Sequence, residues 1–155
     1  MKNMKIAVCD DIMPAPDTGQ RDANEVLKGI LLGKGHTVFS FNGRDTADVA
    51  MYDNAVCAEA LARIIETKHC NGMIMDLHWW GSDDPERDFG VRLLEKLQSD
   101  YSHVLRDVII AVWSKFEPDP PMMARLAAVG VPASRVFWRL AGGTDKVRGI
   151  VACFS

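Results

Sequence analysis

The chain has 155 residues, of which 48% are hydrophobic and 25% are charged, and its formal net charge is −3 at pH 7. This length fits one domain with a core of its own, and the mixed charges and ordinary apolar content argue against a disordered chain. With 18 basic against 21 acidic residues, the chain lacks the basic excess of nucleic-acid-binding proteins. We therefore expect no direct contact with nucleic acid.

The cysteines and the first apolar run indicate a reducing compartment. Cys9, Cys57, Cys70 and Cys153 form no CxxC pair, whereas the disulfide frameworks of small secreted domains are dense. No spacing resembles a zinc site, so we expect buried structural cysteines. The first apolar run ends at an acidic pair, unlike a signal peptide, and no run approaches the ~20 apolar residues that span a bilayer. The expected location is the cytoplasm, without a membrane anchor.

Short apolar runs alternate with amphipathic stretches along the chain. The first half predicts a strand over 5–9, a helix beginning at a capping-box pattern over 22–25, a strand over 36–41, a polar stretch over 42–54 and a helix over 55–68. The second half predicts a strand over 73–77, a helix over 89–97, a strand over 107–113, a helix from Pro121 through Ala128, a strand over 136–138 and a short helix near 147–154.

This alternation predicts an α/β fold. Strands separated by helical stretches form parallel sheets with helices on both faces, here a three-layer sandwich with five strands. Right-handed crossovers leave few topologies, of which the flavodoxin-like order 2-1-3-4-5 is the commonest at this size. No repeat or linker divides the chain, so we expect a single domain over 1–155.

Polar residues lie at the carboxyl ends of four of the five predicted strands. In chain order they are Asp10 and Asp11, Asp76, Ser114 and Lys115, and Arg139. Ligands of such sheets bind beyond the carboxyl ends of the strands, where these residues would meet. Clustered carboxylates raise one another's pKa unless a cation neutralises them, and carboxylate oxygens suit Mg2+. A single aspartate after a strand is more often a turn residue or a cap, so the hypothesis of a site depends on all four strand ends together.

In these motifs and their order the sequence resembles the receiver domain of bacterial two-component response regulators, the CheY-like fold, over essentially the whole chain. Asp10 and Asp11 are similar to the acidic pair of the family, and residues 76–81 to its phosphoacceptor segment. Residues 88–94, with Gly90, are similar to the start of the helix that follows. Ser114 stands where the family has Thr or Ser, and Arg139 where it has an invariant Lys.

The resemblance implies that Asp76 accepts a phosphoryl group from a sensor histidine kinase or a phosphotransfer protein. It also implies a Mg2+ site built from Asp10, Asp11, Asp76 and the backbone carbonyl of His78. Ser114 would donate a hydrogen bond to the phosphoryl group, and the Arg139 cation would pair with it. Phosphorylation would then switch the binding of a downstream protein. Such a protein is not an enzyme, beyond its own phosphorylation and dephosphorylation.

The chain departs from the family pattern at two insertions, near 42–54 and 82–87, and at individual residues. Arg139 keeps the positive charge, but a guanidinium fork is not interchangeable with an ammonium group, and Lys115 is a candidate substitute. Trp80 replaces a proline. We expect the adjacent Trp79 to pack over the site or against a neighbouring helix.

Two other functions remain open. A pseudo-receiver that is not phosphorylated would act as a protein-interaction module, and partner binding would then be insensitive to Mg2+ and to Asp76→Asn. An aspartyl-phosphate phosphohydrolase of the haloacid-dehalogenase type also uses an aspartate at a strand end with Mg2+. That family has a second aspartate two residues later, where this chain has His78.

We expect a stand-alone receiver, which acts by docking on another protein or by passing the phosphoryl group onward, and a homodimer is possible. In the family the docking surface generally involves the fourth and fifth helices and the fifth strand. Here that surface would include Met122, Met123, Arg125, Trp138 and Lys146.

Overall fold

A parallel sheet flanked by helices makes up the described part of the chain. The computed structural model describes residues 3–10, 18–41, 53–77, 79, 88–114, 116–138 and 143–155. The strands are β1 (Lys5–Cys9), β2 (Thr37–Phe41), β3 (Gly72–Asp76), β4 (Ile109–Ser114) and β5 (Val136–Trp138). Their order in the sheet is β2-β1-β3-β4-β5, and all neighbours are parallel. The predicted fold class and strand order are confirmed.

The helices between these strands follow the predicted pattern with shifted ends. They are α1 (Thr18–Gly33), α2 (Asn54–Lys68), α3 (Phe89–Asp100), α4 (Ser102–Leu105), α5 (Pro120–Ala128) and α6 (Gly143–Ala152), with a 3-10 helix over Ala133–Arg135. The short α4 was not predicted, because one helical turn is too short to show a hydrophobic period. In the described part of the chain, no helix has the length and apolar character needed to cross a membrane.

The predicted start of α1 at Asp22 was wrong. The helix already runs from Thr18, and residues 18–21 contain no proline that would stop it. A capping-box pattern describes side chains that suit a helix start. It does not prevent the helix from extending further toward the N-terminus when the preceding backbone can also be helical.

The strands alternate their side chains between two separate apolar cores. Ile6 and Val8 of β1 pack with residues of α1 and α6. Ala7 and Cys9 pack with residues of α2, α3 and α5 on the other face. Because helices cover both faces, β3 is buried along its whole length. The polar side chains of the sheet are therefore confined to the ends of its strands.

Aspartate caps determine where two of the helices begin. Asp53 accepts a hydrogen bond from the backbone amide of Val56 at 2.9 Å, and Asp119 accepts one from the amide of Met122 at 2.9 Å. Each cap satisfies an amide that has no partner within its helix. The predicted insertion near 42–54 therefore ends in the cap of α2, while residues 42–52 lie outside the described residues.

The cysteines are free thiols, as expected from their spacing. Cys9, Cys57 and Cys70 are buried, and Cys153 is partly exposed. Burial, reinforced by the nearby Asp53 carboxylate, raises the pKa of the Cys57 thiol to about 11. Burial is also the main cause that raises the pKa of Cys9 well above its ordinary value. Thiols held protonated in this way are poor nucleophiles and metal ligands.

Adjacent leucines of α1 provide a matched test of the α1–α6 core. Leu31 is fully buried at 0% exposure, whereas Leu32 is 56% exposed. We expect Leu31→Ala to lower the free energy of unfolding by about 2–5 kcal/mol, because it leaves a cavity. Leu32→Ala makes the same change in helix propensity and is expected to stay within about 0.5 kcal/mol of wild type. Urea unfolding of both variants measures the difference. Equal losses would contradict this packing of α1.

Candidate functional site

Two buried carboxylates lie at the carboxyl edge of the sheet, on neighbouring strands. Asp76 is the last residue of β3 and is 2% exposed, and Asp10 directly follows β1 and is 5% exposed. The two strands pair with Cys9 opposite Met75. The next position in this register therefore brings Asp10 opposite Asp76. Buried carboxylates in such positions repel each other unless positive charge compensates them.

A lysine from α1 approaches Asp10. The backbone amide of Asp10 donates to the carbonyl of Phe41 at 3.1 Å, which prolongs the pairing of β1 with β2. The Lys28 Nζ atom lies 3.7 Å from Oδ2 of Asp10 and 3.6 Å from Oε1 of Glu25. This lysine was not singled out from the sequence, because its position reflects only how α1 packs on the sheet.

Ser114 lies at the same edge, at the end of β4. The β3–β4 register places Asp76 opposite Trp113, so Ser114 is one position further toward the edge. Its side chain is buried, and its Oγ accepts a hydrogen bond from the backbone amide of Phe116 at 3.2 Å. A hydroxyl that accepts one hydrogen bond still has its proton to donate.

The structure thus places three of the predicted site residues, Asp10, Asp76 and Ser114, at the same carboxyl edge of the sheet. The others, namely Asp11, His78, Lys115 and Arg139, lie outside the described residues, together with Trp80 and the insertion near 82–87. Within the described ranges, no group of three or more His, Cys, Asp or Glu side chains is arranged to hold a metal ion.

The chemistry of the two carboxylates fits a hard divalent cation. Mg2+ prefers oxygen donors, usually keeps several waters, and is bound by only one or two carboxylates. Asp10 and Asp76 supply such donors on adjacent strands, and a divalent cation would offset the repulsion between them. The described part of the site is therefore compatible with Mg2+ as the implied metal.

Trp79 holds the backbone that follows β3. Its ring is fully buried, and its Nε1 donates a hydrogen bond to the backbone carbonyl of Asp76 at 2.7 Å. The ring centroid lies 5.0 Å from that of Phe89 and 6.3 Å from that of Phe41. Of the two predicted positions, packing against a neighbouring helix is the observed one, since Phe89 is the first residue of α3. The indole thus helps to position the phosphoacceptor candidate through its backbone.

The first turn of α3 packs directly on the end of β3. The amide of Gly90 donates to the carbonyl of Leu77 at 3.0 Å. A Cβ atom at Gly90 would lie 2.2 Å from the backbone oxygen of Asp76 and 2.7 Å from the Cα of Leu77. Glycine is therefore required here by the close approach of two backbones, which explains this position of the sequence motif.

An ion-pair network joins the start of α3 to α5. The buried carboxylate of Asp88 accepts hydrogen bonds from Nε of Arg92 and from Nη1 of Arg125, both at 2.9 Å. Arg125 also pairs with Glu95. The hydrogen bonds to Glu95 and then to Asp88 raise the pKa of the Arg125 guanidinium well above its ordinary value. Because the charge of buried Asp88 is compensated from two helices, this network ties the start of α3 to α5.

This network changes the interpretation of the expected docking surface. Arg125 is engaged with α3 inside the domain. Met122 and Met123 are partly buried and pack against the core beside α2 and α3. Trp138 is also partly buried, and the side chain of Lys146 lies outside the described residues. Packing within the domain is therefore enough to explain the two methionines, and no partner protein is needed to cover them.

Two glycines provide a test of the contact between α3 and β3. We expect Gly90→Ala to lower the free energy of unfolding by about 2–4 kcal/mol, since the backbone of Asp76 and Leu77 would have to move. Gly29 of α1 has open space around the position of a Cβ. Gly29→Ala is expected to stabilise the domain by about 0.5–1 kcal/mol, because alanine favours the helix. Urea unfolding compares the pair. An unchanged stability of Gly90→Ala would contradict the close approach.

The structure is similar to solved receiver domains. The signal receiver domain of modulated diguanylate cyclase from Desulfovibrio desulfuricans G20 has a TM-score of 0.58 and 14% sequence identity, over 98% of this chain and 94% of that one. The response regulator domain of Thermotoga maritima CheB has a TM-score of 0.54 and 12% identity, over 97% and 90%.

A plant protein has the same fold. The receiver domain of the histidine kinase CKI1 from Arabidopsis thaliana, complexed with Mg2+ and BeF3-, has a TM-score of 0.52 and 18% identity, over 96% of this chain and 90% of that one. No protein-family model matches the chain, and no curated protein matches its sequence. These likenesses establish that the chain has the receiver-domain fold. Its function has to be argued from the site.

Proposed function

We propose that this domain, which has the receiver-domain fold, accepts a phosphoryl group on Asp76 in a two-component or phosphorelay system. One observation carries the proposal: Asp10 and Asp76 are buried on neighbouring strands at the edge where ligands of such sheets bind. Burying two carboxylates on neighbouring strands costs free energy, and a bound divalent cation would offset the repulsion between them. Such a cation beside a nucleophilic carboxylate is what phosphoryl transfer to Asp76 requires.

In the proposed reaction, a carboxylate oxygen of Asp76 attacks the phosphorus of a phosphohistidine on a kinase or phosphotransfer protein. An oxygen–phosphorus bond forms, the phosphorus–nitrogen bond breaks, and the imidazole nitrogen leaves and takes up a proton. Mg2+ held by Asp10, Asp11, Asp76 and the backbone carbonyl of His78 would offset the charge of the phosphoryl oxygens. The CKI1 receiver domain complexed with Mg2+ supports extending this metal to the present chain.

The neighbouring strand ends supply the remaining interactions. The hydroxyl of Ser114 donates a hydrogen bond to a phosphoryl oxygen, and the Arg139 guanidinium pairs with the phosphoryl charge. The hydrogen bond from Trp79 to the carbonyl of Asp76 holds the acceptor in place during the transfer. The new contacts of Ser114 and Arg139 favour a second state of the surface, which a downstream protein recognises.

Phosphorylation of Asp76 is tested by incubation with acetyl phosphate. We expect one labile phosphoryl adduct that requires Mg2+ and is lost in Asp76→Asn, because the amide has no nucleophilic oxygen. Asp107→Asn is the matched control, since Asp107 is exposed and lies just before β4 at the opposite edge of the sheet. The mass of the intact protein, measured with and without Mg2+, detects the adduct.

The adduct distinguishes a phosphoacceptor from a pseudo-receiver. A Mg2+-dependent adduct on wild type and on Asp107→Asn, but not on Asp76→Asn, supports the phosphoacceptor. Wild-type protein that acquires no adduct under any of these conditions contradicts the proposal. The pseudo-receiver would then describe the chain, and partner binding would be unaffected by Asp76→Asn.

The role of Ser114 is tested by removing or keeping its hydroxyl. We expect Ser114→Ala to slow adduct formation about tenfold or more, because a hydrogen-bond donor to the phosphoryl group is lost. Ser114→Thr keeps the hydroxyl and is expected to retain most of the rate. The time course of the phosphorylated mass gives both rates. If the alanine variant formed the adduct as fast as wild type, Ser114 would have no role in phosphorylation.

A further inference from the structure

We propose that Lys28 is a built-in counter-ion, which binds Asp10 when no divalent cation is present and thereby weakens the affinity of the site for Mg2+. This inference rests on the proposed function, since it concerns the same Asp10 carboxylate. It assigns to α1 a role in setting the Mg2+ concentration at which the domain becomes competent for phosphorylation. The physical basis is competition of two cations for one carboxylate.

The position of Lys28 is held by the packing of α1. Leu27 and Leu31, on the same helix, are buried in the core that α1 forms with α6. The intervening Lys28 side chain is only 14% exposed, and its Nζ atom lies 3.7 Å from Oδ2 of Asp10. An ammonium group with so little access to water needs a negative partner. Helix α1 therefore places a positive charge beside the Asp10 carboxylate, to which the proposed metal would also bind.

Glu25 offers the ammonium group a second partner. Its Oε1 atom lies 3.6 Å from the Nζ atom of Lys28, one helical turn earlier, and its side chain is 67% exposed. When a cation occupies Asp10, Lys28 can remain paired with Glu25 at the rim of the site. The displaced ammonium then lies only a short distance from Mg2+, and this repulsion between positive charges weakens metal binding.

Neutralising Lys28 is therefore expected to strengthen Mg2+ binding. We expect Lys28→Met to lower the dissociation constant for Mg2+ about tenfold. Lys28→Arg keeps the charge and is expected to retain the wild-type affinity within about twofold. Lys34→Met makes the same charge change at the exposed turn after α1, toward the opposite edge of the sheet, and is expected to leave the affinity unchanged. Calorimetric titration with MgCl2 at constant ionic strength measures all four proteins.

A second neutral variant keeps the test decisive if methionine unfolds the domain. Lys28→Gln retains a polar group at this partly buried position and is expected to tighten Mg2+ binding in the same direction. Glu25→Gln removes the second partner of Lys28, so the ammonium group should compete more strongly for Asp10 and Mg2+ should bind more weakly. In a Lys28→Gln background no ammonium group is present, and the same substitution is expected to weaken Mg2+ binding less. Equal effects in the two backgrounds would contradict the competition.

The titrations separate this inference from the proposed function. Wild type and both neutral variants binding Mg2+ equally well would overturn the role of Lys28 and leave the metal site in place. No binding by any of them would overturn the metal site and, with it, the role of Lys28. Binding by the neutral variants but not by wild type would support the competition, and wild type would then be a pseudo-receiver in which lysine replaces the metal.

Discussion

The burial of two carboxylates side by side is the constraint on which the rest of this structure depends. The parallel register of β1 and β3 places Asp10 opposite Asp76. The apolar cores on both faces of the sheet limit the access of water to them. Their mutual repulsion requires positive charge at this edge. Lys28 supplies one such charge, and the proposed Mg2+ would supply more. The register thus determines where the two carboxylates lie, and the packing of α1 on the sheet places the counter-ion beside one of them.

The backbone around Asp76 is held by the same contacts that stabilise the fold. Trp79 donates to the Asp76 carbonyl from within the core, and Gly90 allows α3 to begin in contact with it. The buried Asp88 carboxylate then ties the start of α3 to Arg125 on α5. These contacts form a continuous series from the backbone of Asp76 through the start of α3 to α5.

The receiver-domain fold does not by itself decide the function, because one fold supports different activities. What favours a phosphoacceptor is the set of oxygen groups at one edge: two buried carboxylates and the hydroxyl of Ser114. The close approach of Lys28 to Asp10 favours the pseudo-receiver instead, since an internal cation reduces the need for a metal.

The order of strands and the edge at which Asp10, Asp76 and Ser114 meet were predictable from sequence, because parallel crossovers are right-handed and carboxyl ends share one edge. Local pattern also located the helices except the one-turn α4, and it missed the start of α1, since a capping pattern does not exclude an earlier helix start. Only the tertiary structure revealed that Lys28 reaches Asp10 and that Arg125 reaches Asp88. These contacts join residues far apart in the chain, so they depend on how each helix packs on the sheet, which no local pattern records.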